Sequence, residues 1–100
     1  NLVGASVGAA GQRCMAISVA IFVGQSKEWI EDLKEEMKKV VPGPWDSPTS
    51  GFGPLISKAA KERVLSLIET GKSEANCILD GSGYEVKEFP EGNWIGPTLF

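Results

Sequence analysis

The run Ile17-Ser18-Val19-Ala20-Ile21-Phe22-Val23 decides the fold class. It is β-branched and aromatic, almost wholly apolar, and closed by Gly24. Such a run suits a strand buried on both faces, as in a parallel sheet under helices. Just beyond it, Ser26 is placed to N-cap a helix reaching Val40 or Val41. Trp29, Ile30, Leu33, Met37, Val40 and Val41 form one apolar stripe on that helix. Glu31, Lys34, Glu35, Lys38 and Lys39 fall mostly on its other faces and read as a solvated surface. Pro42-Gly43-Pro44 stops it.

Upstream, Leu2 to Ala10 is built from small residues, and Leu2, Val3, Val7 and Ala10 can share one helix face. Gly4, Gly8 and Gly11 weaken that helix and suggest close backbone approach. Downstream, residues 41–54 hold Pro42, Pro44, Pro48 and Pro54 and form a loop. Ser57 caps a second helix ending near Gly71, with Ala60, Val64, Leu65 and Ile68 on its inner face. Cys77-Ile78-Leu79 reads as a short strand and Gly81-Ser82-Gly83 as a turn. A weak alternation runs from Tyr84 to Trp94, and a last strand begins at Ile95. Helix, strand, helix, helix, strand is the order of an α/β fold, a mostly parallel sheet flanked by helices.

Composition narrows the function classes. The chain has 100 residues, 42% hydrophobic and 23% charged, which fits one small globular unit. Ten basic and 13 acidic side chains give a net charge of −3, against a nucleic-acid or anionic-membrane partner. The longest apolar run falls well short of the ~20 residues that span a bilayer. With no histidine, Ser-His and Cys-His dyads and His-ligated metals are excluded within this chain. Cys14 and Cys77 are too few for a disulfide scaffold and match no zinc spacing, so they read as reduced thiols of an intracellular protein. The chain opens on Asn1-Leu2-Val3 and closes on the apolar Thr98-Leu99-Phe100, which suggests a piece of a longer protein.

Few residues here carry chemistry. Gly4, Gly8 and Gly11 do not make the dinucleotide turn G-x-G-x-x-G, and they precede the strand rather than follow it. Trp29, Trp45 and Trp94 read as packing residues, and Cys77 as an inert buried thiol. Cys14 lies between a small-residue segment and a buried strand, where a fold holds a group firmly and substrate can approach. Arg13 beside it is a permanent cation, and a nearby cation favours the nucleophilic thiolate. From these residues alone, Cys14 stays open between a nucleophile and an ordinary core thiol.

Val7-Gly8-Ala9-Ala10-Gly11-Gln12-Arg13-Cys14-Met15-Ala16-Ile17-Ser18 resembles the active-site cysteine signature of the aldehyde dehydrogenase superfamily. That signature wants an apolar or aromatic residue, three spacers, Gly, Gln or Glu, any residue, Cys, a small or apolar residue, then a small one. All are met. The resemblance continues through Gly53-Pro54-Leu55-Ile56, the helix from Lys58, and Trp94-Ile95-Gly96-Pro97-Thr98. Arg13 before the cysteine, Met15-Ala16 after it, Leu2-Val3-Gly4-Ala5 and Ala59-Ala60-Lys61-Glu62-Arg63-Val64 are similar to the CoA-acylating, methylmalonate-semialdehyde branch. The loop Trp45 to Phe52 departs from that branch.

The resemblance implies a piece of the catalytic domain, without the nucleotide-binding and oligomerisation parts. It implies that Cys14 attacks an aldehyde carbon, that hydride passes to NAD, and that the thioester left on Cys14 is taken by coenzyme A. Substrates would be malonate or methylmalonate semialdehyde; the cysteine-bound acyl group would lose its carboxylate as CO2 before coenzyme A takes it, so the products would be acetyl-CoA or propionyl-CoA. Arg13 would grip the substrate carboxylate through two parallel hydrogen bonds. The backbone N–H of Cys14 would supply one oxyanion donor. The second donor, the general base of hydrolytic relatives and the cofactor-binding residues would lie outside residues 1–100. The parent would be a homodimer or homotetramer, cytoplasmic if bacterial and in the mitochondrial matrix if eukaryotic. Two alternatives stand beside it: a CoA-independent aldehyde dehydrogenase, and a non-catalytic α/β interaction domain in which Cys14 only packs.

Overall fold

The computed structural model describes residues 1–100 and contains three α-helices: α1 (Leu2–Val7), α2 (Trp29–Lys38) and α3 (Lys58–Glu74). Short 3₁₀ turns occupy Gly8–Gly11 and Gly24–Glu28. No strand ladder forms; the only β pairings are two isolated bridges, Pro42 with Phe52 (parallel) and Leu79 with Leu99 (antiparallel).

The sheet expected from the sequence is therefore not assembled within these residues. Ile17 to Val23 runs with neither helix nor ladder. Val19, Ile21 and Val23 are more than three-quarters exposed, and Phe22 is half-buried. The apolar pattern is a strand's, but a strand needs partners for its N–H and C=O groups. Only its two ends are served, Ile17 N–H by Ala5 O and Val23 by the Ser26 hydroxyl, and no strand pairs along its length. The short strand expected at Cys77-Ile78-Leu79 reduces to its bridge. Leu99 N–H donates to Leu79 O at 2.8 Å, and Ile78 N–H to Leu99 O at 2.9 Å.

α3 forms where its sequence places it. Ser57 has extended backbone and its Oγ accepts from Ala60 N–H at 3.1 Å, an N-cap that satisfies one orphan donor. Ala60, Val64 and Leu65 pack against the core of Leu55, Ile68 and Ile95. The helix runs three residues past the expected stop at Gly71. Gly71 is a mid-helix glycine because the Phe100 ring fills the space its Cβ would take.

α2 begins later than expected. Ser26 is no N-cap for it: its hydroxyl donates to Val23 O and accepts from Val23 N–H, both at 2.8 Å. That exchange winds Gly24–Glu28 as a 3₁₀ turn, and the α-helix starts at Trp29. Met37 is its buried residue, while Trp29 stays largely exposed. The lysines of α2 pair with glutamates three residues earlier on the exposed face, as a solvated surface does.

Of the three tryptophans, only Trp94 packs as expected. Its indole is buried and donates to Phe89 O at 2.7 Å, whereas Trp45 is 96% exposed. Gly81 and Gly96 press backbone on backbone, with Gly96 N–H donating to Gly81 O at 2.9 Å. Asp80, just before, is tied to α3. Lys72 Nζ lies 2.7 Å from both Asp80 and Glu69, and Asp80 Oδ1 accepts from Ser82 N–H at 2.9 Å. Lys72, and then Ser82, hold the Asp80 carboxyl well below the usual carboxylate range.

Candidate active site

α1 leads into the loop that carries Cys14. Helical backbone ends at Val7, and Ala9, Ala10 and Gly11 then take three successive left-handed conformations, with φ of 53°, 55° and 72°. Two of them are alanines, so the turn holds strain of roughly 1–2 kcal/mol per alanine. Strain of this kind persists only where surrounding bonds determine it. Here Gln12 N–H donates to Ala9 O at 3.0 Å and closes the turn.

Arg13-Cys14-Met15-Ala16 is a second, tight turn, closed by Ala16 N–H to Arg13 O at 3.1 Å. Cys14 and Met15 are its central residues, which pushes both outward. Cys14 is exposed and free, and Met15 is 86% exposed. Ile17 N–H then donates to Ala5 O at 3.1 Å, fixing the exit of the loop against α1. A thiol at the tip of a closed turn is reachable by substrate while its backbone is held. Cys77 is the contrast: it is half-buried, with its thiol directed to Leu79 O at 3.4 Å.

Arg13 is exposed and takes part in none of the ion pairs of the chain. Its guanidinium lies over Gly8, where a Cβ would come within 2.8 Å of Cζ. The fork is therefore free for an anion, and a glycine leaves it room. The structure thus places Arg13 and Cys14 side by side on one exposed turn. No group of three or more His, Cys, Asp or Glu side chains is positioned to hold a metal ion.

Gln12 was not singled out by the sequence, although it stands one residue before Arg13. Its Oε1 accepts from Ile56 N–H at 2.9 Å, and its Nε2 donates to Ala9 O at 3.0 Å and Pro54 O at 3.3 Å. Pro54 and Ile56 are 42 and 44 residues away from Gln12. Next to them Leu55 is buried, and its N–H donates to Asn93 O at 2.9 Å.

The aldehyde dehydrogenase family model matches residues 1–100, the whole of the chain. The chain belongs to the aldehyde dehydrogenase family. Within this family it is 50% identical over 100 residues to the bovine (Bos taurus) acylating methylmalonate-semialdehyde/malonate-semialdehyde dehydrogenase, a mitochondrial protein. The match takes in 99% of this chain and 19% of that relative, so the chain spans about a fifth of the relative's length. A crystal structure from Sinorhizobium meliloti 1021, complexed with NAD, superposes with a TM-score of 0.93 at 35% identity. It covers 99% of this chain and 21% of that one. The methylmalonate-semialdehyde dehydrogenase of Oceanimonas doudoroffii superposes with a TM-score of 0.89 at 32% identity, over 98% of this chain and 21% of that one. These matches support an α/β domain. No helix of the chain is long and apolar enough to cross a membrane.

Proposed function

We propose that the protein carrying this chain oxidises malonate or methylmalonate semialdehyde on a cysteine, releases the carboxylate carbon as CO2, and transfers the remaining acetyl or propionyl group to coenzyme A. The observation that carries the proposal is the exposed Cys14 beside an arginine with no carboxylate partner. The bovine relative, half identical to it, bears the acylating name.

Cys14 acts as the nucleophile and forms the thioester, dividing one difficult transfer into two easier ones. The turn holds the reacting sulfur at its outer tip, and the N–H of Cys14 is one oxyanion donor. Arg13 receives the carboxylate of the semialdehyde in its planar fork, a role that a lysine's point charge fills less well. NAD supplies the hydride acceptor when bound. Residues 1–100 do not fit it by themselves, since no dinucleotide-type glycine turn is present, and its binding residues belong to the rest of the protein. Residues 1–100 are on this proposal a piece of the catalytic domain. Ile17 to Val23 is a strand of its sheet, with the exposed Val19, Ile21 and Val23 covered by that remainder. A homodimer or homotetramer, in the mitochondrial matrix of a eukaryote or the cytoplasm of a bacterium, goes with this assignment.

The test is NADH formation by the full-length protein with malonate semialdehyde and NAD, with and without coenzyme A. Sustained turnover only with coenzyme A is expected. Equal turnover without it would move the protein to the hydrolytic class. Turnover unchanged in Cys14→Ala would remove the nucleophile.

A further inference from the structure

Between Gly8 and Ile17, Gln12 is the residue whose side chain bonds across to a distant segment. The remaining closures of this loop are local or run back to α1: Gln12 N–H to Ala9 O, Ala16 N–H to Arg13 O, and Ile17 N–H to Ala5 O. They shape the turn and fix its exit. Ala10 packs against the cluster of Leu55, Ile68 and Ile95, a contact without direction, and Gln12 adds the directed hydrogen bonds from the loop to the Pro54–Ile56 backbone. Its amide grips residues on both sides of Leu55, and Leu55 is locked by Ile68, Ile95 and the bond to Asn93 O.

We propose that Gln12 is a positioning residue for Cys14, holding the thiol-bearing turn against the Pro54–Ile56 backbone through its side-chain amide. The inference rests on Cys14 being the nucleophile. An amide suits the place because it accepts from Ile56 N–H with one end and donates to two carbonyls with the other. A glutamate keeps the first bond and loses both donations. A methionine of similar length loses all three. The Ile56 bond, at 2.9 Å, is the better of the two long-range contacts, since the Pro54 contact is 3.3 Å. Gln12 touches no reacting atom. It acts by fixing where Cys14 sits, and a displacement of about 1 Å at a reacting centre costs on the order of 100-fold in rate.

The experiment uses the full-length protein and reads NADH formed in the first turnover with malonate semialdehyde, alongside the dissociation constant for NAD and the melting temperature. Gln12→Met is expected to slow the first turnover by roughly 10- to 100-fold, with NAD affinity and melting temperature held. Gln12→Glu is expected to fall between it and the wild type, a partial rescue through the retained Ile56 bond. Should Gln12→Met fail to fold, Gln12→Asn replaces it; that side chain is one methylene too short and should slow the reaction likewise. A wild-type rate in Gln12→Met or Gln12→Asn would overturn the inference, as would Gln12→Glu falling as far as Gln12→Met. If Cys14→Ala keeps its turnover, the nucleophile assignment itself has failed and the inference falls with it. If Cys14→Ala is inactive while Gln12→Met is not, only the inference has failed.

Discussion

Replacing Gly81 by alanine should unlock the backbone contact that holds the 94–97 segment in place. A Cβ on Gly81 would overlap the carbonyl group of Gly96 and the carbonyl oxygen of Pro97. These are backbone atoms and cannot rotate away as a side-chain tip can. The two segments must therefore separate by about an ångström or more to reach ordinary contact. Gly96 N–H to Gly81 O, now 2.9 Å, and Gly81 N–H to Thr98 Oγ1, now 3.1 Å, would both be lost. Each is worth about 1 kcal/mol, and Gly96 is buried, so its unpaired N–H costs at least about 1 kcal/mol more. The sum, about 3 kcal/mol, corresponds to roughly a 100-fold shift in the local opening equilibrium. Hydrogen exchange resolved to residues 94–99 of the full-length protein reads that shift directly. Gly83→Ala is the matched control, because nothing lies within 4 Å of where its Cβ would sit. Residues 94–99 should exchange about 100-fold faster in Gly81→Ala and at the wild-type rate in Gly83→Ala. Equal exchange in the two variants would refute the steric reasoning.

Arg13→Ala should lower kcat/KM for malonate semialdehyde by roughly 30-fold, the loss of about 2 kcal/mol of charge-assisted hydrogen bonding, while sparing propanal; equal loss on both aldehydes would leave Arg13 no carboxylate role. Ser57→Ala removes the cap of α3, about 1 kcal/mol, so amide exchange at Ala60 and Lys61 should quicken by about fivefold while that of Ile68 holds. Asp80→Asn should lower the melting temperature at pH 7. Because the folded carboxyl lies below its ordinary 3.8, wild type holds that advantage above pH 4 and loses it as the pH falls through the lowered value. Melting curves of both proteins from pH 7 to pH 3 should therefore stay apart by a constant margin down to about pH 4 and only begin to draw together toward pH 3.

The parts of the fold that were legible in the sequence depend on near neighbours. Ser57, with Ala60, Val64, Leu65 and Ile68 at helical spacing, specifies α3 and its inward face, because cap and stripe lie within one helix. Ile17 to Val23 carries a strand's pattern equally clearly, but a strand is completed from outside itself, and these residues contain no partner for it. Gly71 reads as a stop only until Phe100, 29 positions later, is seen to require it. At the candidate site, Cys14 is marked by a compact signature and Arg13 by its place beside it. The geometry beneath them is silent in sequence. Alanine does not advertise a left-handed conformation, and nothing in Gln12 names Pro54 and Ile56 as its partners. The one usable hint was that the signature restricts the position to Gln or Glu, the side chains long enough to accept a bond from a distant N–H.

The exposed ribbon from Ile17 to Val23 also bears on how the protein is made. Seven residues of high β-propensity, without charge or proline, are what a growing fibril or a misaligned neighbouring chain would take up. Ser18 is the sole polar interruption, and the nearest charges are Arg13 and Lys27. During synthesis this ribbon is a liability for as long as its edges go unpaired, and a slow or truncated chain prolongs that interval. The same residues that suit the interior of a sheet therefore make timing a condition of reaching it.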